Sequence, residues 1–363
     1  MYAPKRIRVL VVDDSIMFRT AICKGLEEDP QIEVVGSAFN PYNARDRILE
    51  LKPDVLTLDV EMPGMSGIDF LKILMPQHPL PVIVVSAVDG IVFEALRAGA
   101  VDFIAKPDTG GMANFIKDLR AKIKVASMAH LSNQMRGKGS GPIETGAASR
   151  AGIQAAPGPF VTQNLKGNWD TSLLLAIGAS TGGTEATSQI LKALPEGLPG
   201  MVITQHMPPV FTRMYAERLD RECKLHVSEA KDGVPILPGH AYVAPGDMHL
   251  RVTRRGSELV LKVGGTDKVS GHCPSVDVLF SSVAEVMGPK AVGVLLTGMG
   301  ADGAKGLLKM KQRGAFTIGQ DQQSCVVYGM PMEAMKLGAV TRQASLDMIP
   351  SVLLNQIKRA GRV

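Results

Sequence analysis

The first 125 residues repeat one pattern five times: a short apolar run that stops at polar or small residues, followed by an amphipathic stretch. The runs are Ile7 to Val12, Ile32 to Ser37, Val55 to Leu58, Pro81 to Val85 and Val101 to Ile104. Between and after them the period predicts helices over about 15–28, 41–51, 67–76, 90–98 and 111–125. Strands that alternate with helices of this size must lie parallel, because each helix returns the chain to the same sheet edge. The expectation is a doubly wound five-stranded parallel sheet, with any ligand beyond the carboxyl ends of its strands.

With 363 residues there is room for a second domain of similar or larger size. From Gly137 to Gly167, Gly, Ser, Ala, Pro and Gln dominate and no apolar period survives, so 126–168 reads as a flexible linker. Alternation resumes near Thr171. Strands are expected at Leu173 to Ile177, Met201 to Thr204, Ala291 to Leu296 and Phe316 to Gly319, with helices from Thr184, Pro209, Ser275 and Ala301. Leu225 to Val263, punctuated by Asp232-Gly233 and Pro245-Gly246, reads as a β-meander. The division is therefore 1–125, 126–168 and 169–363, with the last an α/β domain on a mainly parallel sheet.

Several classes are excluded by composition. The net charge of +5 is not gathered into a basic stripe and aromatic residues are only 4% of the chain, so a nucleic-acid partner is not expected. No apolar run reaches the roughly 18 residues of a membrane span, and the first lacks a cleavage site, so neither membrane insertion nor secretion is expected and the chain is placed in the cytoplasm. Cys23, Cys223, Cys273 and Cys325 are scattered without a paired spacing, which reads as reduced packing residues.

Strand ends carry the chemistry of the first half. Asp13 and Asp14 follow the first run and Asp59 the third, and carboxylates converging there need a cation such as Mg²⁺. Ser86 and Lys106 follow the fourth and fifth runs, so a hydroxyl and an ammonium join the carboxylates in a set suited to phosphoryl transfer. A single such Asp could simply cap a helix; five polar groups at specified strand ends are harder to explain that way. By its Asp-Asp-Ser, its Asp before Met-Pro-Gly-Met-Ser-Gly and its Lys-Pro, 5–125 resembles the receiver domain of bacterial response regulators, a flavodoxin-like fold. That resemblance implies that Asp59 accepts phosphate from a histidine kinase, while Asp13, Asp14, Asp59 and the Glu61 carbonyl organise Mg²⁺. It further implies that Ser86 and Lys106 touch the phosphoryl group and that Phe103 is the aromatic switch.

The second half offers two glycine-rich turns. Gly178-Ala179-Ser180-Thr181-Gly182 lies between a strand and a helix and fits the G-x-S-x-G nucleophile elbow, which leaves Ser180 exposed at the strand end beside helix-start amides. A serine needs a base, and His206, after the next strand, is the candidate; His249 and His272 are its rivals. The second turn, Thr297-Gly298-Met299-Gly300-Ala301-Asp302-Gly303, admits two readings. Gly298, Gly300 and Gly303 with Asp321 fit a dinucleotide fingerprint, although too little chain follows for the remaining units of such a domain. Alternatively Asp302 orients His206 and completes a Ser-His-Asp set.

With Ile177 to Gly183, Gln205-His206-Met207-Pro208, Val243-Ala244-Pro245-Gly246 and Thr297 to Gly303 in this order, 170–360 resembles the catalytic domain of bacterial chemotaxis protein-glutamate methylesterases. The resemblance implies Ser180 as nucleophile, His206 as base and Asp302 as its orienter, with Thr181 beside the nucleophile and the Met299 amide as an oxyanion donor. It also implies a cofactor-free hydrolysis of glutamate methyl esters on methyl-accepting chemotaxis receptors, and in many members deamidation of receptor glutamine. Two other readings remain: an output domain that only binds a partner, and a nucleotide-dependent oxidoreductase.

Overall fold

In the computed structural model, residues 5–87, 89–107, 110–129 and 168–358 are described. The segment read as a linker lies almost wholly outside them.

The amino-terminal domain follows the expected alternation: β1 (Ile7–Val12), α1 (Ile16–Glu27), β2 (Ile32–Ala38), α2 (Pro41–Leu51), β3 (Val55–Asp59), α3 (Gly67–Gln77), β4 (Val82–Ser86), α4 (Val92–Arg97), β5 (Asp102–Ala105) and α5 (Met112–Ala126). The strand order is β2-β1-β3-β4-β5 and every ladder is parallel. β3 and β4 are buried on both faces, as the near-continuous apolar runs of a covered parallel sheet require. Helices begin where a short polar side chain can cap them: Ser15 accepts from the Phe18 amide, Asn40 from Asn43 and Ser66 from Asp69.

The carboxyl-terminal domain contains β6 (Leu174–Ala179), α6 (Gly183–Ala193), β7 (Gly200–Gln205), α7 (Phe211–Glu222), β8 (His226–Glu229), β9 (His240–Val243), β10 (Leu250–Arg255) and β11 (Glu258–Val263). It continues with α8 (Val276–Met287), β12 (Ala291–Leu295), α9 (Ala304–Gln312), β13 (Phe316–Gln320), α10 (Met330–Lys336), β14 (Arg342–Ala344) and α11 (Ile349–Ile357). Seven strands form one sheet in the order β14-β13-β12-β6-β7-β9-β8, all ladders parallel. Here the expected meander is corrected. β8 and β9 extend the main sheet in parallel, and only β10 and β11 pair antiparallel, as a separate hairpin. The Asp232-Gly233 turn leads the chain back for another parallel strand instead of closing a hairpin. β14, too short to show a period, was not anticipated.

The two domains touch. Phe103 of β5 packs on Phe211 at the start of α7 with ring centroids 4.8 Å apart, and Phe93 of α4 stacks on Tyr215 at 5.9 Å. Arg97 pairs with Glu222 at 3.2 Å, and the Arg218 guanidinium lies 5.4 Å from the Phe93 ring. The four cysteines are free.

Close helix packing in the second domain depends on Gly306. A methyl group there would stand 2.7 Å from the Phe280 Cβ and 3.0 Å from the Asp277 carbonyl oxygen, so α9 can approach α8 only without a side chain. Gly306→Ala is expected to cost about 1–3 kcal/mol by overpacking. Urea unfolding of the full chain checks this, and an unchanged midpoint would contradict it.

Candidate active site

Register decides the catalytic geometry. β6 pairs β7 with Ala179 opposite Gln205, and the next amide continues the ladder, His206 N–H donating to the Ala179 carbonyl at 3.2 Å. Ser180 and His206 are therefore neighbours just past the ends of adjacent strands. On the other side β12 pairs β6 with Leu295 opposite Gly178, and the Ser180 N–H donates to the Thr297 carbonyl at 3.0 Å. The loop from Thr297 to Gly303 thus leaves the sheet beside Ser180.

That loop delivers Asp302. Its Oδ2 is 2.8 Å from His206 Nε2, and the carboxylate is almost fully buried. It also sits on the first turn of α8: Ser275 Oγ and the Asp277 N–H donate to Oδ1 at 2.8 and 3.0 Å, and the Val276 N–H donates to Oδ2 at 2.7 Å. Burial pushes the Asp302 carboxyl up, but the hydrogen bond and charge of His206 and these amides outweigh it, so the group is held below its ordinary value. An ionised Asp302 accepts the proton on Nε2. His206 Nδ1, buried and without a hydrogen-bond partner among the described residues, is then the nitrogen with a free lone pair.

The rival histidines separate cleanly. His249 has both ring nitrogens committed, Nδ1 accepting from the Ser275 N–H at 3.1 Å and Nε2 donating to the Asp267 carbonyl at 2.7 Å. His272 lies flat on His206, with ring centroids 3.8 Å apart and planes within 9°. Burial, reinforced by the neighbouring His206, pushes His272 down to about 4, so it stays neutral. The dinucleotide alternative is corrected as well. Gly298 is small because a Cβ there would lie 2.6 Å from the Ser180 Cβ, and the Asp321 carboxylate accepts from Ser324 within its own turn at 2.6 and 2.9 Å. Gly298 makes room for a serine, and Gly303 for Val276 and Leu295.

Thr181 faces the other domain, its hydroxyl donating to Asp102 Oδ2 at 3.3 Å. The Met299 side chain is half-exposed, and its N–H meets no acceptor among the described residues. Ser180, His206, His272 and Met299 line one side of a cavity of about 830 Å³, and Phe103, Asp102 and Lys122 of the amino-terminal domain line the opposite side. Sequence reasoning missed Ser275 and Gln205. The first was visible only as a helix start, and the second only as a neighbour of His206.

The acidic centre forms at the strand ends of the first domain. Ligand atoms of Asp13, Asp14 and Asp59 lie within 4.8 Å of one another. Lys106 Nζ is 2.7 Å from Asp59 Oδ2 and 3.1 Å from Asp13 Oδ2, the latter outside hydrogen-bonding geometry, so Asp13 Oδ2 is a buried oxygen without a donor. Three hard oxygen donors with one unsatisfied suit a divalent cation such as Mg²⁺. Burial, with the charge of Asp13 added, pushes Asp59 up to about 6 against the hydrogen bond from Lys106. Burial works against the Lys106 charge, yet its hydrogen bond to Asp59 and the charges of both Asp59 and Asp13 hold its pKa above the ordinary value. The Glu61 carboxylate stays out of the cluster, and its N–H donates to Asp59 Oδ1 at 3.2 Å, so only its main chain is in place. Ser86 ends β4 with its carbonyl accepting from the Lys106 N–H at 2.8 Å, and Phe103, expected as a switch, is packed on Phe211.

Known proteins agree with both halves. Residues 9–117 match the response regulator receiver domain and 175–353 match the CheB methylesterase domain. A protein-glutamate methylesterase/protein-glutamine glutaminase of Syntrophomonas wolfei is 48% identical over 98% of this chain and 99% of its own length. One of Pseudomonas aeruginosa, bearing the same description, is 45% identical over 98% of both. The crystallised CheB methylesterase catalytic domain of Thermotoga maritima is 37% identical, covers 51% of this chain and 98% of its own, and superposes with a TM-score of 0.50. Similarity that runs the length of both chains and respects both domains leaves one assignment: this chain belongs to the CheB family of protein-glutamate methylesterases, with a receiver domain ahead of the catalytic one.

Proposed function

We propose that this chain demethylates glutamate side chains of methyl-accepting chemotaxis receptors through Ser180, His206 and Asp302, under control of phosphorylation at Asp59 by a histidine kinase. The observation that carries the catalytic part is the 2.8 Å His206–Asp302 contact, which leaves Nδ1 as the imidazole nitrogen without a hydrogen-bond partner among the described residues, on the strand end next to that of Ser180. Ser180 Oγ attacks the ester carbonyl as His206 Nδ1 takes its proton. The tetrahedral oxyanion is met by the Met299 N–H, with Thr181 at its side. As the C–O bond to the leaving group breaks, His206 returns the proton and methanol departs. Water, deprotonated by the same nitrogen, then cleaves the acyl-enzyme to glutamate. Asp302 stabilises the imidazolium formed in each half-reaction. A glutamine amide would follow the same course with ammonia as the leaving group.

Receiver control fits the contacts between domains. Phe103, Asp102 and Lys122 line the same cavity as Ser180 and His206, so the receiver domain occupies part of the space through which a receptor segment would reach Ser180. Asp13, Asp14 and Asp59 would hold Mg²⁺, which neutralises the phosphoryl oxygens during transfer to Asp59. Phosphorylation draws Ser86 and Lys106 toward the new charge. We assign Phe103 as the element through which that change loosens the grip on α7, shifting the population toward an open arrangement.

Ser180→Ala is expected to abolish methanol release from methylated receptors, and Asp302→Asn to lower kcat by about 10⁴, the cost of the wrong histidine tautomer. Release undiminished in Ser180→Ala would refute the reading. Fragment 169–363 should turn over faster than the unphosphorylated full chain, and Asp59→Ala should no longer respond to a phosphodonor; a fragment no faster than the full chain would exclude occlusion. For stability, His272 is protonated near pH 6.5 when unfolded but only near 4 when folded, so protons favour the unfolded chain in between. The thermal midpoint should fall as pH drops from about 6.5 toward about 4, and His272→Phe should flatten that fall.

A further inference from the structure

Gln205, the last residue of β7, lies beneath the turn that carries Ser180 and is almost fully buried. Its single NH₂ group serves two acceptors: Nε2 donates to the Ser180 carbonyl at 2.9 Å and to the His206 carbonyl at 3.3 Å. The Ser180 carbonyl also receives the Gly183 N–H at 2.7 Å, so the nucleophile's peptide is held from two sides. The other end of the amide makes no hydrogen bond: Oε1 is buried without a donor among the described residues. Gly183 is fitted to it, since a methyl at that position would run into Gln205 Oε1 and the Ala179 Cβ.

A buried carbonyl oxygen without a donor is a cost that an apolar side chain of similar volume would not carry. Stability alone does not account for an amide here. Among the described residues its side chain's polar contacts run to the main chain of the two residues that exchange a proton in the proposed mechanism. We propose that Gln205 is a positioning residue that fixes the separation of the Ser180 hydroxyl from His206 Nδ1; this rests on the Ser-His-Asp reading above. Gln205 touches no substrate. It acts by joining the two strand ends more tightly than the ladder, which stops at the His206 N–H, and a displacement of about 1 Å there is enough to cost 10²-fold in rate.

The test uses the full chain with Mg²⁺ and a small acyl phosphate as phosphodonor, and measures methanol release from receptor-bearing membranes. Gln205→Met keeps the volume and removes both donors. It should lower kcat ten- to a hundredfold with KM within twofold and with the unfolding midpoint within a few degrees of wild type. Wild-type kcat in Gln205→Met, or a loss that follows the folded fraction, would overturn the proposal. Gln205→Glu keeps the shape and places a negative charge beside His206. It should also lower kcat and move the acid limb of the kcat/KM profile to higher pH. An unmoved limb with unchanged kcat would be equally fatal, and this arm decides the matter if the Met variant does not fold. Ser180→Ala separates the two levels: residual activity there removes the triad reading itself, whereas an inactive Ser180→Ala beside a normal Gln205→Met removes only this inference.

Discussion

The molecule depends on three parallel strands, β12, β6 and β7, ending at the same level. Parallel ladders hold neighbouring strands at fixed register, so residues just past their ends meet without any long loop having to fold back. Ser180, His206 and the loop bearing Asp302 inherit their proximity from that register. Moving β7 by one residue would turn His206 to the other face of the sheet and put Gln205 in its place. The buried ladder therefore sets which residues can meet at this end of the sheet.

The two centres treat the same residue type in opposite ways. Asp59 and Asp302 are both about 1% exposed, and burial alone would raise both. Asp302 meets three donors from the start of α8 besides His206, and these keep it ionised and ready to hold an imidazolium. Asp59 has another carboxylate beside it and stays raised despite Lys106. Such a site gains from added positive charge. Environment separates an orienting carboxylate from one suited to share a cation.

Much of this was legible beforehand because it rests on local pattern. Five apolar runs with intervening helical periods specify the first sheet, and the position of Asp13, Asp59, Ser86 and Lys106 directly after strands places them at one edge. The elbow at Ser180 and the loop to Asp302 show for the same reason. What failed was whatever depended on partners. His226 to Glu229 and His240 to Val243 are short strands whose alternation suits either sheet direction, and only the hydrogen bonding of β7 to β9 and of β9 to β8 makes them parallel. The glycines of 298–303 satisfy a nucleotide fingerprint by spacing, yet the smallness of Gly298 is used against Ser180 and that of Gly303 against Val276.

By itself the sequence determined two α/β domains, the strand-end location of their polar residues and the family they resemble, because hydrophobic period and glycine spacing are properties of neighbouring residues along the chain. Folding alone decided which histidine faces the carboxylate, which ring lies flat against it and which ring nitrogen is left free. It also decided that the Gln205 amide reaches the carbonyls of both Ser180 and His206 and that Phe103 packs on Phe211. Those outcomes turn on hydrogen-bond direction and packing between segments distant in the chain, such as His206 with Asp302 and Phe103 with Phe211, and nothing in the order of residues carries that information.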